Sequence, residues 1–161
     1  MSYQGVSPIS FEPVTTVTAT ASVEVGTRRT KDGVDYVYAY NEGGSSIETG
    51  KGCVLAAGAT GMSCTVSSVT AADCLIGVSV NTMATTKYGW LVTRGITNVE
   101  MNPTSGTVAA GEGLILGLNG VFNRIGGTDG ATAGVGANLV GKALAAIVSG
   151  ASGSAYVKSF G

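Results

Sequence analysis

Lys51-Gly52-Cys53-Val54-Leu55-Ala56 and Glu112-Gly113-Leu114-Ile115-Leu116-Gly117 are two copies of one pattern, a glycine running into a short aliphatic stretch. Gly113 follows Gly52 at an offset of 61 residues. Further on, Leu75-Ile76-Gly77 is echoed by Leu139-Val140-Gly141 at an offset of 64. Gly89-Trp90-Leu91-Val92-Thr93 is matched by Ser154-Ala155-Tyr156-Val157-Lys158 at an offset of 65. Three blocks in one order at nearly one period make an internal repeat, and a repeat changes the reading of the whole chain. Each unit reads as a glycine turn into a short apolar strand, a second strand broken by glycine, and a third that closes the unit. Glycine between apolar pairs breaks helical periodicity and suits bends in small curled sheets. The sequence therefore predicts an all-β body of two pseudo-repeated units, about 50–100 and 110–161, with pseudo-twofold organisation.

The strands predicted for the first unit are 52–57, 62–69, 74–81 and 88–96, with 98–101 as a short continuation. For the second they are 113–118, 121–125, 139–148 and 155–160. The small-residue stretch 126–137 reads as a loop, and 71–74 and 142–148 are the only helical material. Upstream, Asp32-Gly33 is a hairpin turn pair. It leads into a strand at 34–40 that sets Tyr36, Tyr38 and Tyr40 on one face. Those tyrosines read either as a packed sheet face or as a binding platform. From Val14 to Val25 nearly every residue is β-branched or small, and alternation separates Thr16, Thr18, Thr20, Ser22 and Glu24 from Val17, Ala19, Ala21, Val23 and Val25. That pattern predicts a half-buried strand seeking an edge. With Pro8 and Pro13 before it, the chain divides into an extended arm at 1–25 and a single all-β domain at 26–161.

Composition narrows the function classes. The 161 residues suit one domain, and charged residues are 12%, against roughly 25% in an average chain. Net charge is −1, so the balance favours neither nucleic acid nor an anionic membrane as partner. A surface of Gly, Ala, Ser and Thr is poorly protected against association and is expected to be covered by copies of itself or by a partner. The start lacks a basic region followed by an apolar run, and 139–148, interrupted by Lys142, is far short of a bilayer span. A soluble chain made in the cytoplasm is expected. Cys53, Cys64 and Cys74 are odd in number with no histidine beside them, so they are expected to be buried free thiols, neither a disulfide framework nor a metal site.

Without histidine there is no His-based triad and no imidazole base. The ten acidic residues are scattered, and no glycine pair precedes a helix or a Lys-Ser/Thr. No enzyme, cofactor or metal is expected. Arg28, Arg29 and Lys31 form a small basic cluster, either a solvated turn or a partner for an acidic surface.

The Gly-Glu-Gly-Leu-Ile-Leu block at 111–116, Leu75-Ile76-Gly77-Val78, the 88–95 segment and Val140-Gly141-Lys142-Ala143-Leu144 together resemble the head-decoration (cement) proteins of tailed bacteriophages. The likeness covers about residues 50–160. It implies a β-clip- or β-tulip-like body, assembled as a homotrimer on the outside of the expanded capsid. Such a body is preceded by an N-terminal arm that adds a strand to the major capsid protein. Under that resemblance Phe11, Val14, Val17, Val23, Arg28 and Arg29 are the expected capsid contacts. Tyr88, Trp90 and Tyr156 are the expected contacts between copies. The rival reading is a head-fibre or tail module whose tyrosine face binds a receptor or glycan.

Overall fold

The computed structural model describes residues 13–58, 61–66, 74–125 and 139–159. The described chain is all-β, ten strands in one mixed sheet. They are β1 (Arg28–Lys31), β2 (Val34–Asn41), β3 (Gly52–Leu55), β4 (Ser63–Val66), β5 (Gly77–Ser79), β6 (Tyr88–Glu100), β7 (Gly113–Leu116), β8 (Phe122–Arg124), β9 (Leu139–Ala143) and β10 (Ser152–Lys158). Among the described residues the only helical backbone is a 3-10 turn at Leu118–Gly120.

The sheet curls into two rings that share β6. In the first, β2 pairs parallel with β4, β4 with β3, β3 with β5, β5 with β6, and β6 antiparallel with β2. In the second, the far half of β6 pairs with β10, β10 with β9, β9 with β7 and β7 with β8. A parallel bridge from Phe122 to Met101 closes that ring. β2 and β10 both run antiparallel to β6, and their ladders meet at Arg94, which pairs with Asp35 and with Lys158. Because β10 runs against the strand it repeats, superposing the units requires a half-turn.

The correspondence goes down to single hydrogen bonds. Ile47 and Met83 exchange N–H···O bonds of 2.9 and 2.7 Å; Val108 and Ile147, 61 and 64 residues later, exchange two of 2.9 Å. Gly50 donates to Ser79 at 2.9 Å and Gly111 to Ala143 at 2.8 Å. Upstream, the Asn41 side chain accepts from Gly43 N–H and that of Asn102 from Thr104 N–H, both at 3.0 Å. Pairing of Val78 with Val92 recurs as Lys142 with Tyr156, so the third block aligns at 64, not at 65.

The repeated letters are the core. Ile47, Cys53, Ile76, Met83 and Leu91 fill the first ring, and Val108, Leu114, Val140, Ile147 and Ala155 fill the second at the same offsets. The repeated glycines mark close approaches. A Cβ on Gly77 would lie 3.0 Å from the Val92 carbonyl oxygen, and one on Gly141 would lie 2.7 Å from that of Tyr156. Gly89 and Gly153 likewise leave room for Met83 and Ile147.

Several expectations are corrected. Residues 14–25 are not a strand: they run through turns and bends with a single bridge, Thr18 to Tyr88. The edges of β2 and β6 are largely occupied by other strands, and hydroxyls of the segment, those of Thr18 and Ser22, bond the Tyr38 hydroxyl instead. Just beyond the segment, Thr27 donates through Oγ1 to the Glu24 carbonyl at 2.6 Å. Residues 88–100 form one uninterrupted strand of 13 residues. After Ala143 the chain leaves β9 for bends and a turn, so neither strand nor helix spans 144–148. Leu118 belongs to the 3-10 turn. Cys53 and Cys64 are buried free thiols, whereas Cys74, on irregular backbone ahead of β5, is exposed. The expectations for the arm at 1–12, for 67–69 and 71–73, for the loop at 126–137 and for Phe160 lie outside the described residues.

Candidate interaction surface

β1 is one end of the strand order, an edge that carries Arg28, Arg29 and Lys31. Asp32 and Gly33 both take positive φ, 51° and 77°, which is the twist a two-residue hairpin needs. The hairpin sets Arg29 opposite Tyr36 and Thr30 opposite Asp35. Between β1, β2 and β6 lies a groove of about 420 Å³ lined by Arg28, Arg29, Thr30, Asp35, Tyr36 and Thr93. Thr30 Oγ1 donates to Asp35 Oδ1 at 2.6 Å, and Thr93 Oγ1 donates to the Asp35 carbonyl at 3.2 Å. Burial, and then the negative charge of Asp32, raise the Tyr36 phenol above its usual range, with Arg29 opposing. Two arginines and a neutral phenol thus line the groove. Guanidinium planes match a carboxylate in a two-bond geometry that few other side chains offer.

The tyrosine face lies next to it. Tyr38 is fully buried, with Tyr88 stacked at 6.1 Å and Trp90 tilted at 5.1 Å between ring centroids. The Arg29 guanidinium sits 4.5 Å above the Trp90 ring. Residues 13–25 cover this face: Val14, Val23 and Val25 pack with Tyr38 and Trp90. The Tyr38 hydroxyl is the anchor of the cover. It bonds Thr18 Oγ1 at 2.9 Å and accepts from Ser22 Oγ at 3.1 Å and Ser22 N–H at 3.3 Å.

Of the expected capsid contacts, Phe11 lies outside the described residues. Val14 is turned into the molecule at 8% exposure. Val17 and Val23 are half-buried against the first ring's core and the aromatic cluster respectively. Arg28 is exposed and, like Arg29, lines the groove. Of the expected contacts between copies, Trp90 is 4% exposed and fills the aromatic cluster with half-buried Tyr88. Tyr156 stands apart on an open face of β10. Thr30, Asp35, Tyr36 and Thr93 escaped the reading of the sequence as a group, because strand pairing alone unites positions 30, 36 and 93. The Asp32-Gly33 turn was the one local signal that brings 30 to 35.

No protein-family model and no curated protein matches the chain. Its structure is similar to the crystal structure of the N base of head fiber gp8.5 of bacteriophage phi29, with a TM-score of 0.52 and 12% identity, over 76% of this chain and 94% of that one. At that identity the likeness is one of fold.

Proposed function

We propose that this chain is a head-attached structural protein of a tailed bacteriophage, a decoration that binds the outside of the expanded head. The observation that carries the reading is the fold shared with nearly the whole of a phage head-fiber base. The groove at the β1 edge, with exposed Arg28, supports a contact with carboxylates of the major capsid protein. A sheet edge also accepts an added strand through its backbone. Such a protein acts mechanically: binding the mature lattice alone stabilises that lattice by mass action. It assembles with itself, as a homotrimer in the decoration reading, and takes no nucleic acid, membrane, cofactor or metal. It is no enzyme.

Co-sedimentation of the purified chain with expanded heads and with unexpanded procapsids of its phage tests this. Saturable binding to expanded heads alone is expected, and binding to neither overturns the proposal. The second reading, a fibre base whose surface meets a receptor or glycan, is favoured by the same neighbour. Its platform would have to be built from half-buried Tyr36 and Tyr40, since Tyr38 is inside. A glycan array scored against Tyr36→Ala and Tyr40→Ala decides it.

A further inference from the structure

The outer face of β6, β10 and β9 carries an apolar centre with positive charge at one end and along one side. Ile96, 59% exposed, stands opposite Tyr156, 38% exposed, and Tyr156 stands opposite Lys142. Arg94 pairs with Lys158 at one end and donates from Nε to the Tyr156 hydroxyl at 3.2 Å. Leu144, 47% exposed, extends the apolar part where its N–H meets the Ser154 carbonyl. Of the acids nearby, Asp35 pairs with Arg94 across the ladder and adds its negative charge beside it. Glu100 holds Lys51 at 2.7 Å, and Asp35 accepts from Thr30. The face presents Arg94, Lys142 and Lys158, three of the chain's nine basic residues, beside exposed apolar side chains.

The repeat says what such a place is for. In the first unit the positions equivalent to Lys142, Leu144 and Tyr156 are Val78, Val80 and Val92. There Val78 and Val92 are buried and Val80 is packed against the core. The same sheet surface that is covered in one unit is bare in the other, and its rim has become cationic.

We infer that this face docks an acidic, apolar-centred protein surface on the phage head shell, an inference that rests on the head-attached reading above. Charge selects the occupant. Two copies meeting through this face about a twofold would set like charges against each other, whereas carboxylates on a partner complement them. A tyrosine and an arginine beside aliphatic side chains are also the composition of an interface centre.

The test uses the full chain and purified expanded heads, comparing wild type, the double variant Lys142→Glu/Lys158→Glu, Ile96→Ser, and Lys87→Glu as a control away from this face. The wild type is expected to bind saturably and more weakly as salt rises. The double reversal should weaken binding roughly tenfold or more, and Ile96→Ser by a smaller factor, with Lys87→Glu unchanged. All sites are exposed or half-exposed, so thermal unfolding should confirm intact folds. Wild-type binding that the double reversal leaves unchanged overturns the assignment of this face and spares the head-attached reading. Absence of wild-type binding overturns both. A double reversal that changes the sedimentation coefficient of the free chain but not head binding makes the face a contact between copies, and also overturns the inference.

Discussion

At Val92 the outside of the first unit is 3% exposed; at Tyr156, the equivalent residue of the second, it is 38% exposed. Trp90 is sealed under Arg29 and the 13–25 segment, while Ser154 in its place faces solvent. Leu75 packs among Leu114, Phe122 and their neighbours, and Leu139, its counterpart, is 54% exposed. The interiors of the two units are nevertheless the same down to hydrogen bonds and close glycine contacts. The difference teaches that inside and outside of a small ring answer to separate demands. Ring geometry dictates the inside, and whatever lies against the ring dictates the outside. The first unit has the N-terminal segment and the second unit against it. Along β6, β10 and β9 the second unit displays a charged face.

The sharpest way to break this contrast is to truncate the paired outer positions. Trp90→Ala should cost about 3–5 kcal/mol, as for other buried large aromatics. Tyr156→Ala should stay within about 0.5 kcal/mol, as for exposed sites. Thermal or urea unfolding of both variants checks this, and equal losses would dissolve the distinction. Conversely, the inside should respond alike in both units. Gly77→Ala and Gly141→Ala each push a methyl onto a neighbouring strand and should each cost about 1–3 kcal/mol, read in the same unfolding assay.

A finer cut concerns the cover itself. Tyr38→Phe keeps the buried ring and removes the hydroxyl that Thr18 and Ser22 share. A loss of about 1 kcal/mol is expected, together with faster protease cleavage within 13–25 and no change elsewhere. Unchanged cleavage would show that the valines alone hold the segment. The smallest effect is on pH. The Tyr36 phenol is raised from 10.0 in the folded chain by burial and by Asp32. Above the ordinary phenol range the unfolded chain then loses that proton first, so it binds fewer protons than the folded chain and stability falls as pH rises. Cys53 acts in the same sense, because its thiol is raised by a hydrogen bond with Cys64 and by burial. Tyr36→Phe should flatten the alkaline limb of the stability curve measured by urea unfolding, and an unaltered limb would assign it to other groups.

Much of the fold was legible because its signals are local. Asp32-Gly33 marks a turn whatever surrounds it, and aliphatic stretches between glycines mark strands. The tyrosine face was legible as a face, since alternation alone puts 36, 38 and 40 together. What covers it was not legible. Residues 14–25 alternate as a strand should, yet alternation reports only that one side is apolar, and the edges of β2 and β6 beside them were already largely taken. The β1 groove could not be read either, because it depends on positions 30, 36 and 93 meeting through two ladders.

By itself the sequence determined the repeat and the all-β class. Those follow from side-chain period and from glycines that admit a neighbouring strand, both written within a few residues. Only the tertiary structure decided that the two units close as rings on a shared β6, and that Trp90 is buried while Tyr156 is exposed. It also decided that Arg94, Lys142 and Lys158 share one face. Strand pairing joins residues dozens of positions apart, and exposure depends on which surfaces end up in contact, so neither is written in any short stretch of chain.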